Sequence, residues 1–489
     1  MLDQGDHFKG GVIMKKLSAL VLVLTMGMSG LMGCSAIKGS KNSADVVVIG
    51  AGGGGLAAAV EAHDQGAKVV VLEKMPMVGG NTTRATGGLN AAGTKFQKEK
   101  GIQDSVELFY NDAMKGGYNK NNPELVRNLA EKSAGTVDWL TGLGADLSDV
   151  GRMAGASVDR THRPKGGAAV GAHVVDVLKR AAESRKIDIR LWNKAAEILT
   201  DKDGKVIGVK AQNKEGKEYK INAKNVILAA GGFSANQEMV VKYDPKLKGF
   251  ATTNHAGATG DGIIMATKVG AALVDMDQIQ THPTVVPGKA VMVTEAVRGN
   301  GAILINRDAK RFINELQTRD VVSAAILEQK GKTAYLVFDE GIRKSLSAVE
   351  EYFQMKLVSE FSTLEEMASK LEMNADTLKA TIENYNKAVE SKNDGEFKRT
   401  DMPRSIKTAK FYAIEVGPAV HHTMGGVKIN TQAEVINEAG KVIPGLFASG
   451  EITGGVHGGN RLGGNAMADI VTYGRIAGEN AAKASKVSK

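Results

Sequence analysis

The segment MVTEAVRG, residues 292–299, sets Glu295 and Arg298 just after an apolar, strand-like start, and another arginine, Arg319, follows in NELQTRD. A carboxylate and two guanidiniums so spaced have two uses. They can form exposed ion pairs, which are common and contribute little. They can also form a proton relay, provided that an acidic partner exchanges protons with the arginine, because an isolated guanidinium keeps its proton above about pH 12. Three further segments carry groups able to hold an anion: His282 in THPT, His421 and His422 in VHHTMGG, and Arg461 in GNRLGGNA. Taken singly, each has a plainer use. His282 precedes a proline and suits a turn; His421 and His422 point apart on an extended chain and have no evident third metal ligand; Arg461 suits a cofactor phosphate as well as a carboxylate. His173 and His457 carry no assignment.

These groups need a scaffold, and the chain supplies one. ADVVVIGAGGGGLAAAVEAHDQGAKVVVLEK, residues 44–74, reads as a buried strand, a glycine turn, a helix of small residues and a second buried strand. Gly50, Gly52 and Gly55 form G-x-G-x-x-G in this βαβ setting, serving the tight turn, close approach to a pyrophosphate and close helix–strand packing. Glu73 ends the second strand, placed to hold a ribose hydroxyl. The motif specifies a dinucleotide without separating FAD from NAD. VGGNTTRATGGLNAAG (78–93) is a further glycine-rich wrap, KNVILAAGGFSAN (224–236) a strand returning beneath the cofactor, and 442–482 a short strand, a glycine loop and a long helix starting near Asn465. A helix N-terminus there suits an anion or carbonyl. One cofactor is thus gripped from both ends of the chain. Between them lies an insertion, 277–422, with strands in GAILINR and TAYLVFD and amphipathic helical stretches through 363–391. Internal repeats and low-complexity linkers are absent from the sequence.

At 489 residues the chain is long enough for two units with substantial cores. Its single cysteine, Cys34, excludes haem attachment through Cys-x-x-Cys-His, a Cys-ligated iron–sulfur cluster and a Cys-rich zinc site. If electrons move, an organic group carries them. The net charge of +9 is spread without a basic tract, so no nucleic acid is expected; it could help recruit an anionic substrate or an acidic electron-transfer partner. From Met14, two lysines, a short apolar stretch and small residues at Gly33-Cys34 read as a secretory peptide. Leu31–Cys34 is similar to a lipoprotein cleavage box, so Cys34 is expected to carry lipid and tether the exported protein to a membrane at the periplasmic or cell-surface side. Residues 1–13 read as an upstream start-site artefact or a tag.

THPT, MVTEAVRGNGAILINRDAKRFINELQTRD, VHHTMGG and GEITGGVHGGNRLGGNA together resemble the soluble fumarate reductase flavoproteins, which include flavocytochrome c and, more distantly, succinate dehydrogenase flavoprotein subunits. The likeness runs from about Asp45 to the C-terminus and takes in RMAGASVDRTHRPKGGAAVGAHV (152–174). It implies an α/β protein in which an FAD-binding Rossmann-type domain (44–276 and 423–489) carries an inserted α+β capping domain (277–422), after a leader and linker (1–43). It implies that His282, Thr294 and the Glu295 backbone hold one carboxylate of a dicarboxylate, that His421 and Arg461, with Gly464 beside them, hold the other, and that Met153 and Met292 crowd the substrate. Arg319 sits where the family places its proton donor, and Glu295 and Arg298 where it places the relay to solvent. The matching FAD positions are Gly54, Glu73, Asn81, Thr82, Gly87, Gly88, Asp261, His422, Glu451, Ala466 and Met467, together with the glycine motif. A structural sodium on backbone oxygens near Thr423, Met424, Gly425, Glu451 and Thr453 is also implied.

The sequence departs from the family pattern twice. It has no haem-attachment motif, so its electrons are expected from a separate donor, such as a c-type cytochrome or a membrane quinol-linked protein. The loop GGNTTRATGG has no histidine, so the FAD is expected to be non-covalent. The implied reaction is hydride delivery from reduced flavin N5 to one alkene carbon and protonation of the other by Arg319, fumarate becoming succinate. Another enoate (urocanate, methacrylate or acrylate type), an oxidase or dehydrogenase running in the opposite direction, and a non-catalytic electron-transfer lipoprotein are the alternatives.

Overall fold

The computed structural model describes residues 42–487. The leader and Cys34 lie outside the described residues. Uninterrupted apolar runs decide the larger sheet. Val46, Val47 and Val48 of the strand Ser43–Ile49 and all four residues of Val69–Leu72 are buried, as befits strands covered on both faces. Ser43–Ile49 lies parallel between Val69–Leu72 and Glu218–Leu228. Val442–Ala448 and Asp188–Arg190 extend the parallel set outward. Antiparallel strands Lys194–Thr200, Val206–Gln212 and Glu434–Ile436 complete the eight.

The helix Gly53–Asp64 joins the first two strands, as the 44–74 pattern predicts. Gly50 has φ +105°, and a Cβ there would stand 2.4 Å from the Ala229 carbonyl oxygen; a Cβ at Gly55 would stand 1.9 Å from that of Gly50. Only glycine permits this turn and this approach of helix to strand. The helix Asn465–Val487 packs just as closely on Gly53–Asp64: a Cβ at Gly474 would meet the Gly54 carbonyl oxygen at 2.6 Å, and one at Gly478 that of Ala58 at 2.4 Å.

The second sheet is antiparallel, in the order Val291–Met292, Ile279–Val286, Phe411–Thr423, Ala334–Asp339, Ile303–Ile305, with Ser359–Phe361 also on Phe411–Thr423. Helices Leu364–Lys370 and Ala375–Ser391 occupy the amphipathic stretch. This cap has its own apolar core, drawn from residues between Val293 and Val416, whereas the larger core draws on 44–276 and 420–482. The strand Phe411–Thr423 spans both: Val416 pairs with Ala334 in the cap, and His422 pairs with Gln280 near the larger unit. The result is an α/β protein with an inserted α+β cap. No described helix is long and apolar enough to cross a membrane.

Candidate active site

Two adjoining cavities follow from this packing. One, of about 120 Å³, is lined by Gly50, Gly52, Gly54, Glu73, Asp261 and Ser449 among others. The second, of about 600 Å³, is lined by Gly87, Gly88, Met153, His282, Met292, Thr294, Glu295, Arg319, His421, His422, Arg461, Gly464, Ala466 and Met467. Asn81, Thr82, Glu451 and Ile470 wall both, so the two form one elongated site. Of the remaining sequence-predicted residues, Gly55 packs behind the turn. Thr423, Met424 and Gly425 lead into the strand Gly426–Lys428, which pairs with Thr453–Gly454.

The smaller cavity fits the dinucleotide end of the FAD that the resemblance implies, while Gly87, Gly88, His422, Ala466 and Met467, expected on the same cofactor, line the larger one. The helix Gly53–Asp64 starts at Gly52 with no side-chain cap and no acid in its first turn, which leaves its positive end for an anion. The Glu73 carboxylate accepts from Ala51 N and Met75 N, both at 2.8 Å; it is thereby fixed, with lone pairs left for a hydroxyl. Ser449 Oγ is buried without a partner. Asp261 is less free than its sequence position suggests, being paired with Lys74 at 3.0 Å and Lys194 at 3.3 Å.

In the larger cavity the proposed acid and its partner meet. Glu295 opens the short helix Glu295–Gly299 behind Thr294, whose Oγ1 accepts from Ala296 N at 3.4 Å and whose backbone N–H donates to Tyr352 Oη at 2.9 Å. Arg319 opens the helix Arg319–Leu327; its Nε donates to Glu295 Oε2 at 2.9 Å and its Nη1 to Gln280 Oε1 at 3.2 Å. The same Gln280 oxygen accepts from Arg461 Nη2 at 3.1 Å, while Gln280 Nε2 donates to Asn460 Oδ1 at 2.6 Å and to the Arg461 carbonyl at 2.8 Å. One neutral oxygen therefore separates two guanidiniums.

Arg298, expected as the next link of the relay, is buried beside Glu295. It is 1% exposed, its Nη2 lies 4.0 Å from Glu295 Oε2, and its Nη1 donates to the Glu315 carbonyl. Arg399, itself buried on Glu315, donates to the Arg298 carbonyl. The Glu295–Arg298 contact is electrostatic, beyond hydrogen-bond distance, and the arginine is enclosed within the cap.

The charges shape one another. Burial alone would raise the Glu295 carboxyl, but Arg319 and Arg298 outweigh it and hold it below the ordinary value. Burial, with the like charge of Arg319, pushes Arg461 down to about 9. Burial and then Arg319 depress His282 and His421 well below the usual imidazole range, so both are neutral at neutral pH. Their rings meet edge to face with centroids 5.1 Å apart, and His421 Nδ1 shares a 2.7 Å hydrogen bond with Thr253 Oγ1. His422 Nδ1 lies 3.7 Å from Glu451 Oε2, and burial raises the Glu451 carboxyl. His282 Nε2, His422 Nε2 and Arg461 Nε are buried with no protein partner. Unpartnered buried polar atoms cost about 1–3 kcal/mol each, so their convergence on one cavity marks a place for a polar, anionic ligand.

Of the unassigned histidines, His457 pairs with Asp469 at 3.3 Å behind His422, and His173 accepts from Asp146 N at 2.8 Å. Among the described residues no group of three or more His, Cys, Asp or Glu side chains is arranged to hold a metal. Sequence reasoning missed Gln280, Tyr352 and Thr253. Gln280 had a signal: it lies two residues before His282 in one strand, and both are buried on the same face. Tyr352, 58 residues from Thr294, had none.

The chain matches the FAD binding domain family over residues 45–467. It is 53% identical, over 91% of its length, to the fumarate reductase (cytochrome) of Shewanella frigidimarina, covering 78% of that protein. It is 49% identical to the NADH:fumarate oxidoreductase of Klebsiella pneumoniae (strain 342), covering 91% of this chain and 48% of that one. Among solved structures, the open conformation of a flavocytochrome c3 fumarate reductase matches with a TM-score of 0.79 and 45% identity, over 91% of this chain and 79% of that one. With its cofactor groove, its clustered arginines and histidines, and this similarity along nearly its whole described length, the chain belongs to the FAD-binding flavoproteins of the soluble fumarate reductase family.

Proposed function

We propose that this protein is an FAD-dependent reductase of the alkene bond of an unsaturated dicarboxylate, converting fumarate to succinate. The observation that carries the reading is the Arg319–Glu295 pair at 2.9 Å on the wall of a cavity that also presents Arg461, His282, His421 and Thr294. Gly50, Gly52, Gly54 and Glu73, with Asn81, Thr82 and Glu451, hold the FAD, which supplies the hydride when bound and reduced. His421 and Arg461 hold one carboxylate of the substrate, and His282 and Thr294 the other, which orients and polarises the double bond between them. Arg319 gives its proton to one alkene carbon; Glu295, ionised at rest, takes up a proton from solvent by way of Arg298 and passes it to the guanidinium. The cap, 277–422, closes over the reacting atoms and excludes water. Purified enzyme supplied with reduced viologen is expected to consume it only when fumarate is present, yielding one succinate per two electrons. Rapid consumption with urocanate or acrylate and little with fumarate would replace the dicarboxylate reading with that of another enoate.

Electrons reach the flavin from a separate c-type cytochrome or quinol-linked donor, in support of anaerobic respiration. Export and lipid attachment at Cys34 place the enzyme at the periplasmic or cell-surface side of a membrane; Cys34→Ser is expected to release active enzyme, and membrane retention of that variant would contradict the anchor. A sodium ion held by backbone oxygens near Thr423, Met424, Gly425, Glu451 and Thr453 would brace the strand pair behind the site. Thermal stability at equal ionic strength is expected to be higher in sodium than in caesium salts.

A further inference from the structure

The segments that carry Arg319 and Arg461 are joined by a side chain that lines neither cavity. Tyr118 lies in the turn after the helix Val106–Gly116, with φ +59°, and Asn119 follows at +56°. Such left-handed conformations are uncommon for non-glycine residues and define a tight turn here. The tyrosine ring rests on the loop that leads to Arg461: a Cβ at Gly459 would stand 3.0 Å from Tyr118 Cδ2, and Gly459 N donates to the Gly117 carbonyl at 2.9 Å. The phenol reaches across to the cap. It donates to Asp320 Oδ2 and lies 3.3 Å from Thr318 Oγ1. Thr318 is the N-cap and Asp320 stands in the first turn of the helix Arg319–Leu327, so the contact brackets Arg319 itself. Val322 and Ile326 of that helix belong to the cap core, whereas Tyr118 belongs to the FAD-binding part. With 47% of its surface exposed, Tyr118 has no role as a core residue.

We propose that Tyr118 is a positioning residue, a hydroxyl latch that fixes the start of the Arg319 helix against the Arg461 loop and ties the cap to the FAD-binding part. The latch keeps the two guanidiniums at the spacing that the shared Gln280 oxygen bridges. The inference rests on Arg319 as the proton donor.

The test uses the FAD-loaded full chain. Tyr118→Phe is expected to keep its flavin and to lose roughly threefold to fivefold in kcat, the scale of one solvent-screened contact to a charged group. Asp320→Asn retains an acceptor and should keep most of the rate, Asp320→Leu should match Tyr118→Phe, and the double variant should be no worse than either. Cap position is read separately by spin labels at the exposed Lys202 and Lys370, each changed to Cys in a Cys34→Ser background; Tyr118→Phe should add a longer-distance population. Wild-type turnover in Tyr118→Phe would overturn the positioning role, and an unchanged label distance would overturn the tethering of the cap. An active Arg319→Ala would remove the acid reading instead, leaving the label distances to decide the latch.

Discussion

Arg319 Nε stands 2.9 Å from Glu295 Oε2, and the carboxylate side chain is 8% exposed, close to a second arginine, Arg298, at 4.0 Å. The geometry gives the guanidinium a basic neighbour that is ionised at neutral pH, because the two arginines outweigh its burial. Such a carboxylate can take up a proton and hand it to the arginine after the arginine's own has been spent.

Glu295→Gln preserves shape and hydrogen bonding but cannot carry the proton. Turnover is expected to fall by roughly 10²-fold or more, the usual scale for loss of acid–base function, and Glu295→Asp should recover part of it. In a relay acting as a unit, Arg319→Ala/Glu295→Gln should be scarcely worse than the worse single variant. Steady-state rates at matched flavin content check this.

Gln280→Leu removes the oxygen that accepts from Arg319 and Arg461 and leaves both guanidiniums facing each other. KM for fumarate is expected to rise about tenfold, with kcat also lower, from two lost hydrogen bonds to charged donors. Gln280→Glu should raise KM further, since a new carboxylate neutralises the arginines and repels a dianion. Both variants should remain yellow.

The alkaline side of the pH profile follows from Arg461, pushed down to about 9. Its cationic form, which holds a carboxylate, is populated below that value and is lost as pH rises through it. kcat/KM for fumarate, which reports the free enzyme, should be level below about pH 9 and fall by about tenfold per unit above it. A bound dianion favours the protonated arginine, so kcat should decline only at higher pH. Initial rates between neutral pH and the alkaline limit of flavin retention measure both limbs.

Much of this arrangement was legible in the sequence because it is local. The glycine turn, its flanking buried strands and Glu73 lie within one short βαβ unit, and hydrophobic continuity over Val46–Val48 and Val69–Leu72 marks a parallel sheet. The insertion showed as a change of pattern between two cofactor-binding ends. What stayed hidden depends on long-range pairing. Gln280 matters only because arginines 39 and 181 residues away converge on its oxygen. Arg298 is expected from the resemblance as a relay link beside Glu295, and only the fold brings Glu315 and Arg399 around it. Asp261 matches a cofactor position by resemblance, and only the fold shows Lys74 and Lys194 engaging it.

The most direct measurement is a single turnover of Arg319→Ala beside the native enzyme, both reduced anaerobically by dye to the same flavin spectrum and mixed with excess fumarate. Native flavin should reoxidise at once with formation of one succinate. Arg319→Ala should bind fumarate, because His421 and Arg461 remain, and reoxidise slower by roughly 10²–10⁴-fold, as expected on loss of a general acid. Reoxidation of Arg319→Ala at the native rate would contradict the assignment of Arg319 as proton donor, and native flavin that stays reduced in fumarate would contradict the reaction itself.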